Sequence, residues 1–209
     1  MKIQKETLRL YAITDRKWLG ADETLLSVTE EIIGAGASII QLREKNISDS
    51  ELISLATDLK KICDNHDIPL IINDRPDIAK AVHASGVHVG LSDMAIEKAR
   101  EYLGPDYIIG GSAHNVREAL LAQEAGADYI GCGAVFGSST KKDAGLLSLS
   151  ELKKICAAVT IPVVAVGGIT LENAEELKGT GIAGVALISA LYGASDKSGA
   201  VRKFIEIFQ

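Results

Sequence analysis

The 209-residue sequence is poor in aromatic side chains and has no excess of positive charge. Phenylalanine, tyrosine and tryptophan together make up 4% of the chain, and the formal net charge is −6 at pH 7. Nucleic-acid backbones bind to basic surfaces, and single strands stack on aromatic rings. We therefore expect no nucleic-acid partner.

Cysteine is also scarce. The chain has Cys63, Cys132 and Cys156, and no two of them form a Cys-x-x-Cys pair. An odd count without such a pair argues against a disulfide framework and against a thiolate zinc site. We expect three reduced thiols, at least partly buried.

Long apolar runs are missing. No stretch approaches the ~20 apolar residues that span a bilayer, and residues Met1–Glu6 lack the apolar segment of a signal peptide. We expect a cytoplasmic protein with no membrane partner. The composition, 47% hydrophobic and 24% charged, is typical of a globular protein.

The chain does have many short apolar runs, rich in valine and isoleucine. Such nearly continuous runs are typical of strands buried on both faces, as in parallel sheets. The eight predicted strands are Leu8–Ile13, Ser38–Leu42, Pro69–Ile72, Gly86–Val89, Tyr107–Ile109, Ala127–Gly131, Pro162–Val166 and Gly184–Ile188.

Amphipathic stretches separate these runs and predict helices. Two of them cover Asp22–Ala35 and Asp49–Cys63, and later ones begin near Met94, Val116, Leu149, Leu171 and Lys197. Side chains that accept hydrogen bonds from first-turn amides favour helix starts. The predicted N-caps are Asp22, Ser48, Ser148 and Thr170.

The alternation of strand and helix predicts an α/β fold. The phrase Ala-Gly-Ala, at residues 35–37 and 125–127, closes a helix before a strand each time, which indicates an internal repeat. Eight units without a linker favour a single (β/α)8 TIM barrel domain over residues 1–209. An open, doubly wound sheet is the alternative.

Polar residues follow the predicted strands, where the active site of such a barrel lies. Gln41, Arg43 and Lys45 alternate, so their side chains point the same way if the second strand extends that far. The two cations suit a polyanion such as a diphosphate. The alternative for Arg43 is a structural ion pair with Glu44 or with a carboxylate of the core.

Two carboxylates, Asp74 and Asp93, follow neighbouring predicted strands. Because neighbouring strands lie ~4.8 Å apart, both side chains can converge on one ion, and such hard oxygens together with substrate phosphate suit Mg²⁺. The alternative is that each caps a helix, and for Asp74 the following Arg75-Pro76 favours that alternative.

Two further segments suit a phosphate group. The sixth predicted strand leads into a glycine-bounded loop that carries Ser138, Ser139, Thr140 and Lys141. Their hydroxyl, amide and ammonium groups could bind a phosphate, and the alternative is a polar surface loop without a ligand. Gly167-Gly168 lets the backbone approach a ligand closely, and Ser189 stands at a predicted helix start after the last strand.

With these residues, the chain resembles the thiamine phosphate synthase family nearly from end to end. The motifs occur in the family's order: residues 11–15 (YAITD), 41–45 (QLREK), 73–74 (ND), 88–93 (HVGLSD), 111–114 (GSAH), 126–131 (GADYIG), 140–143 (TKKD), 167–169 (GGI) and 188–189 (IS).

The resemblance implies a (β/α)8 barrel that joins hydroxymethylpyrimidine diphosphate to thiazole phosphate, with Mg²⁺ and small-molecule substrates. It implies catalysis by the cations Arg43, Lys45 and Lys141 and metal binding by Asp74 and Asp93. The implied pyrimidine diphosphate ligands are Gln41, Arg43, Lys45, Asn73, Ser112 and Lys141. The implied thiazole phosphate ligands are Ser138, Ser139, Thr140, Gly168, Ile188 and Ser189.

The sequence departs from the family pattern at Leu91, where the family usually has glutamine, and at Gly137-Ser138, where it usually has proline-threonine. One alternative function is a thiazole tautomerase, whose pattern has a histidine at the position of Ala134 and no carboxylate at that of Asp93. Another is a non-catalytic binder of thiamine precursors. The sequence leaves open whether the chain forms a homo-oligomer.

Overall fold

A computed structural model describes residues 3–90, 96–137 and 146–209. Eight parallel strands close into a barrel in sequence order, because β1 pairs with both β2 and β8. The strands are β1 (Leu10–Ile13), β2 (Ile39–Leu42), β3 (Leu70–Asn73), β4 (Gly86–Val89), β5 (Ile108–Ala113), β6 (Tyr129–Cys132), β7 (Val163–Val166) and β8 (Gly184–Leu187). The predicted TIM barrel is confirmed, and the open sheet is wrong.

Helices follow most of the strands and cover the outside of the barrel. They are α1 (Leu25–Gly34), α2 (Asp49–Asn65), α3 (Pro76–Ala81), α4 (Ile96–Leu103), α5 (Val116–Glu124), α6 (Leu149–Ala158), α7 (Ser189–Tyr192) and α8 (Lys197–Ile207). Ser48 and Ser148 cap α2 and α6 as predicted, since each side chain accepts from an amide of the first turn.

Two predicted helix starts are wrong. Thr24 rather than Asp22 caps α1, because the Thr24 hydroxyl accepts from the amide of Ser27. The helix expected from Leu171, with Thr170 as its cap, is only a 3-10 helix over Ala174–Leu177. Its two buried residues, Ala174 and Leu177, are three apart, and a 3-10 turn also brings that spacing to one face.

Alternation along the strands divides the core into two layers. In β1, Leu10 and Ala12 pack outward against the helices, whereas Tyr11 and Ile13 point into the barrel. The inner layer also contains Ile39, Ile71, Ile108, Tyr129, Val164 and Ala186. The same alternation places the polar residues near the carboxyl ends of β2 to β5 on the inward side.

The cysteines agree with the expectation of reduced, buried thiols. All three are free, and Cys63 and Cys132 are buried. In the described part of the chain, none of the helices combines the length and apolar character needed to cross a bilayer.

Candidate active site

A cavity opens at the carboxyl ends of the strands. It encloses about 1030 Å³, counting its open mouth, and residues from the ends of all eight strands line it. Of the residues predicted to bind substrate, the cavity lining brings together Gln41, Arg43, Asn73, Ser112, Gly168, Ile188 and Ser189. The site therefore lies at the end of the barrel where the polar residues were expected.

Five side chains form a hydrogen-bonded row across the inside of the barrel, which we call the polar row. Gln41 Nε2 lies 2.8 Å from Tyr11 Oη, which lies 2.8 Å from Tyr129 Oη. His88 continues the row, with Nδ1 3.0 Å from Tyr129 Oη and Nε2 3.1 Å from Ser112 Oγ. The row thus links two predicted substrate ligands on β2 and β5.

The tyrosines of the polar row are buried between the strands. Tyr11 is 2% exposed and Tyr129 is fully buried. Burial raises the pKa of both phenols far above their usual value, and the hydrogen bonds that Tyr11 makes with Tyr129 and Gln41 only partly offset this for Tyr11. Both hydroxyls therefore keep their protons and remain able to donate hydrogen bonds.

Arg43 follows β2 and enters the cavity lining. Glu44 does not pair with it, since Glu44 Oε2 lies 2.8 Å from Arg16 Nε. Arg43 Nε is buried and has no hydrogen-bond partner among the described residues. The alternative of a structural Arg43–Glu44 salt bridge is therefore wrong, although the charge of Arg43 still helps to lower the pKa of Glu44.

Glu44 follows Arg43 in the chain and has only 2% of its side chain exposed. Burial raises the pKa of this carboxyl above its usual value, and the charge of Arg16 only partly lowers it again. Glu44 holds Arg16, from the β1–α1 connection, beside the segment that carries Arg43.

Lys45 is not among the residues that line the cavity. Strand β2 ends at Leu42, so the strand alternation expected through residue 45 stops before Arg43. Lys45 is exposed in the segment that leads to α2.

Asp74 lies at the turn after β3, with φ at +61°. Its amide donates to the carbonyl of His88 over 2.8 Å, and its Oδ2 accepts from Asn73 Nδ2 over 2.5 Å. The N-cap residue of α3 is Arg75, so the alternative of Asp74 as that cap is wrong. Its predicted partner Asp93 lies outside the described residues.

Gly168, with φ at +66°, lines the cavity wall opposite β3 and is closely packed against backbone atoms. A Cβ at Gly168 would lie 2.6 Å from the carbonyl oxygen of Phe136 and still closer to that of Gly137. The glycine therefore permits close approach to the β6–α6 connection. Ser189 begins α7, as expected for a helix start. The predicted phosphate residues Ser138, Ser139, Thr140 and Lys141 lie outside the described residues.

Four more residues line the cavity although no role in the site was expected for them from the sequence: Tyr11, His88, Tyr129 and His114. One signal was available: Tyr11, His88 and Tyr129 are polar residues within apolar strand runs, at inward positions. His114 bonds to Glu118 through Nδ1 over 3.1 Å, so it is held at the start of α5.

The chain is similar to known proteins over nearly its whole length. A family profile described as thiamine monophosphate synthase matches residues 10–191. Thiamine-phosphate synthase 2 of Streptococcus pneumoniae serotype 4 is 43% identical over 98% of this chain and 97% of its own length. Thiamine-phosphate synthase of Clostridium acetobutylicum is 48% identical over 95% of this chain and 94% of its own length.

A solved structure of a protein with a similar name is also similar to this chain. Thiamine phosphate pyrophosphorylase from Pyrococcus furiosus superimposes with a TM-score of 0.90 at 40% sequence identity. The match covers 98% of this chain and 96% of the other.

The tight packing around Gly168 makes a testable prediction. Gly168→Ala should lower the free energy of unfolding by more than Gly179→Ala, as measured by urea denaturation. Both glycines have positive φ, and an alanine there costs ~1–2 kcal/mol. Only Gly168 adds a collision, because nothing lies within 4 Å of a Cβ at Gly179. Overpacking of this kind costs roughly 1–3 kcal/mol more. Equal losses in the two variants would contradict the packing role.

Proposed function

The chain belongs to the thiamine monophosphate synthase family, and we propose that it joins hydroxymethylpyrimidine diphosphate to thiazole phosphate, giving thiamine phosphate and pyrophosphate. The observation that carries the proposal is the cavity, which gathers Gln41, Arg43, Asn73 and Ser112 at one end of the barrel in a chain of this family.

The pyrimidine ring would lie at the bottom of the cavity. Gln41 and Ser112 offer hydrogen-bonding groups from opposite sides, and Asn73 adds an amide between them. The walls around them are apolar side chains such as Ile13, Val164 and Val166. A site of this kind buries a flat heterocycle and orients it through a few polar contacts.

The diphosphate would lie toward the mouth, where Arg43 has its buried and unpartnered Nε. An arginine fork suits phosphate oxygens, and a charge-assisted bond in a dry site is stronger than one in water. Lys45 and Lys141 would complete the cationic surroundings of this group, as the family resemblance implies.

The donors near β3 fit Mg²⁺. A carboxylate is the hard ligand that this ion prefers, and Asp74 presents one next to the cavity residue Asn73. Strands β3 and β4 are neighbours in register, with Asn73 opposite His88, so Asp93 follows five residues after that register point. Asp74 and Asp93 would hold the ion together with diphosphate oxygens. When bound, the ion supplies positive charge to the leaving group.

The thiazole phosphate would lie on the other side of the mouth. Gly168, Ile188 and Ser189 line that wall. Ser138, Ser139 and Thr140 would add hydroxyl groups from the β6–α6 connection, a supply of donors typical of phosphate sites.

These placements support a dissociative displacement. The bond between the pyrimidine methylene carbon and the diphosphate oxygen breaks, and its electron pair leaves with pyrophosphate. The thiazole nitrogen then forms the new bond to the methylene carbon with its own electron pair. Arg43, Lys45 and Lys141 would stabilise the negative charge that develops on the leaving group.

No side-chain nucleophile is needed for this reaction. Burial raises the pKa of Cys132 far above its usual value, so that thiol stays protonated. Its side chain packs in the outer core layer between strands and helices. A thiol in that state is a poor nucleophile.

The site offers little support for a thiazole tautomerase. Ala134, where the tautomerase pattern has a histidine, is 3% exposed and lines the cavity with a methyl group that cannot transfer a proton.

The deciding experiment is a synthesis assay with the purified chain, both substrates and Mg²⁺. We expect thiamine phosphate and pyrophosphate to form in equal amounts, measured by chromatography and by a coupled pyrophosphate assay. Isomerisation of a thiazole carboxylate phosphate without pyrophosphate release would instead identify a tautomerase. Binding of both substrates without product would identify a non-catalytic binder.

The metal assignment predicts that diphosphate binding depends on Mg²⁺. Calorimetry should show tighter binding of the pyrimidine diphosphate with Mg²⁺ than with a chelator, and Asp93→Asn should remove most of this difference and most of the turnover. Asp106→Asn is the control, since Asp106 is exposed in the turn before β5. Equal affinities with and without Mg²⁺ would rule the assignment out.

The charge-stabilisation mechanism makes a prediction for Lys141. Removing one preorganised donor typically lowers turnover by about a hundred- to a thousandfold, and Lys141→Ala should lose about that much. Lys141→Arg should recover part of it, because the charge remains while its geometry changes. Cys132→Ser should lose little. Lys154→Ala is the matched control, since Lys154 is 67% exposed on α6. Unchanged turnover in Lys141→Ala would remove this residue from the mechanism.

A further inference from the structure

The donors and acceptors of the polar row determine which group donates in each of its hydrogen bonds. The amide nitrogen of Gln41 can only donate, so Tyr11 Oη accepts from it. Each tyrosine has a single proton, and a buried hydroxyl proton needs an acceptor. If Tyr129 donated to Tyr11, the Tyr11 proton would find no acceptor within the row. Tyr11 therefore donates to Tyr129.

The other end of the polar row has a fixed donor order as well. Having accepted from Tyr11, Tyr129 has its proton left to donate to His88 Nδ1. A ring nitrogen that accepts a hydrogen bond carries no proton, so His88 is neutral with its proton on Nε2. Nε2 then donates to Ser112 Oγ, and the Ser112 proton remains for a group in the cavity.

The surrounding strands leave space for this row. A Cβ at Gly110 would lie 2.5 Å from His88 Nδ1 and would overlap the Tyr129 ring. A Cβ at Gly131 would lie 3.1 Å from His88 Cε1. Glycine inside a strand weakens the strand and often marks a close approach of other atoms. Here β5 and β6 lack side chains where the two rings meet.

We propose that Tyr11, Tyr129 and His88 are positioning residues that fix Gln41 as a hydrogen-bond acceptor and Ser112 as a donor toward the ligand. This inference rests on the proposed function for the identity of the ligand. The acceptor suits an exocyclic amine and the donor suits a ring nitrogen, so the row selects an aminopyrimidine. A pyrimidinone, with an oxygen in place of the amine, would set two acceptors against each other at Gln41.

The protonation of both tyrosines supports the order, because burial raises the pKa of each phenol far above its usual value. Neither hydroxyl loses its proton at a working pH, so each tyrosine can donate one hydrogen bond to the next group of the row.

The first test measures the proton order without any substrate. The protein is labelled with ¹⁵N-histidine, and His88 is assigned among the four histidines with the His88→Gln variant. We expect the ¹⁵N shifts of a neutral ring with its proton on Nε2. A proton on Nδ1 would reverse the row and overturn the proposal, and so would a doubly protonated ring.

The second test compares two variants that each delete one buried phenol oxygen. Tyr129→Phe breaks the row, whereas Tyr192→Phe removes a buried hydroxyl that bonds to Thr29 over 2.9 Å, outside the cavity lining. Calorimetry measures the affinities of each variant for the aminopyrimidine diphosphate and for the corresponding pyrimidinone diphosphate. Thermal unfolding measures the loss of stability in parallel.

We expect the preference for the amine to fall about tenfold in Tyr129→Phe, the usual effect of one hydrogen bond, because Gln41 and Ser112 can then rotate. Tyr192→Phe should keep the wild-type preference even where it loses equal stability. Equal preferences in both variants would overturn the positioning role. If wild-type protein bound neither pyrimidine, the proposed function would be wrong, whereas the histidine shifts would still decide the proton order.

Discussion

Because β1 pairs with β8, the inward side of each strand faces a space that the other strands enclose, and water reaches it only at the ends. A polar side chain that points into this space must find a partner there, since an unpaired buried polar group is costly. Tyr11 and Tyr129 solve this by bonding to each other, and Gln41 and His88 join them. Closure of the barrel therefore both forms the cavity and determines which polar groups its floor presents.

The strands were predictable because this closure leaves a strong pattern in the sequence. A strand covered on the inside by other strands and on the outside by helices is apolar on both faces, and the runs beginning at Leu8 and Gly184 show this plainly. The β7–β8 connection was not predictable in the same way. Ala174 and Leu177 are buried three residues apart, a spacing that suits an α-helix and a 3-10 turn alike. The helical segment stops at Leu177, because the next residue, Lys178, already has an extended backbone.

The sequence could predict a site residue where that residue stands at the end of a strand. Gln41, Asn73 and Ser112 lie in the cavity lining because each stands at an inward position near the carboxyl end of its strand. Lys45 shows the limit, since local pattern did not reveal that β2 ends at Leu42. The partner of Glu44 was also out of reach, because Arg16 comes from a different connection. Tyr11 and Tyr129 are 118 residues apart, and only the closed barrel brings their hydroxyls together.

Glycine has two distinct roles in this cavity, and the sequence alone does not separate them. Gly167-Gly168 suggested a backbone that approaches a ligand, yet a Cβ at Gly167 would lie 2.6 Å from the Cβ of Ala134. Gly167 and Gly168 are therefore required first for packing against the β6–α6 connection. This packing places Ala134 and its neighbours at the cavity wall. Gly110 makes room for side-chain rings instead of backbone. In both cases the missing side chain is replaced by another part of the protein, so these glycines shape the binding site through what they allow to pack against them.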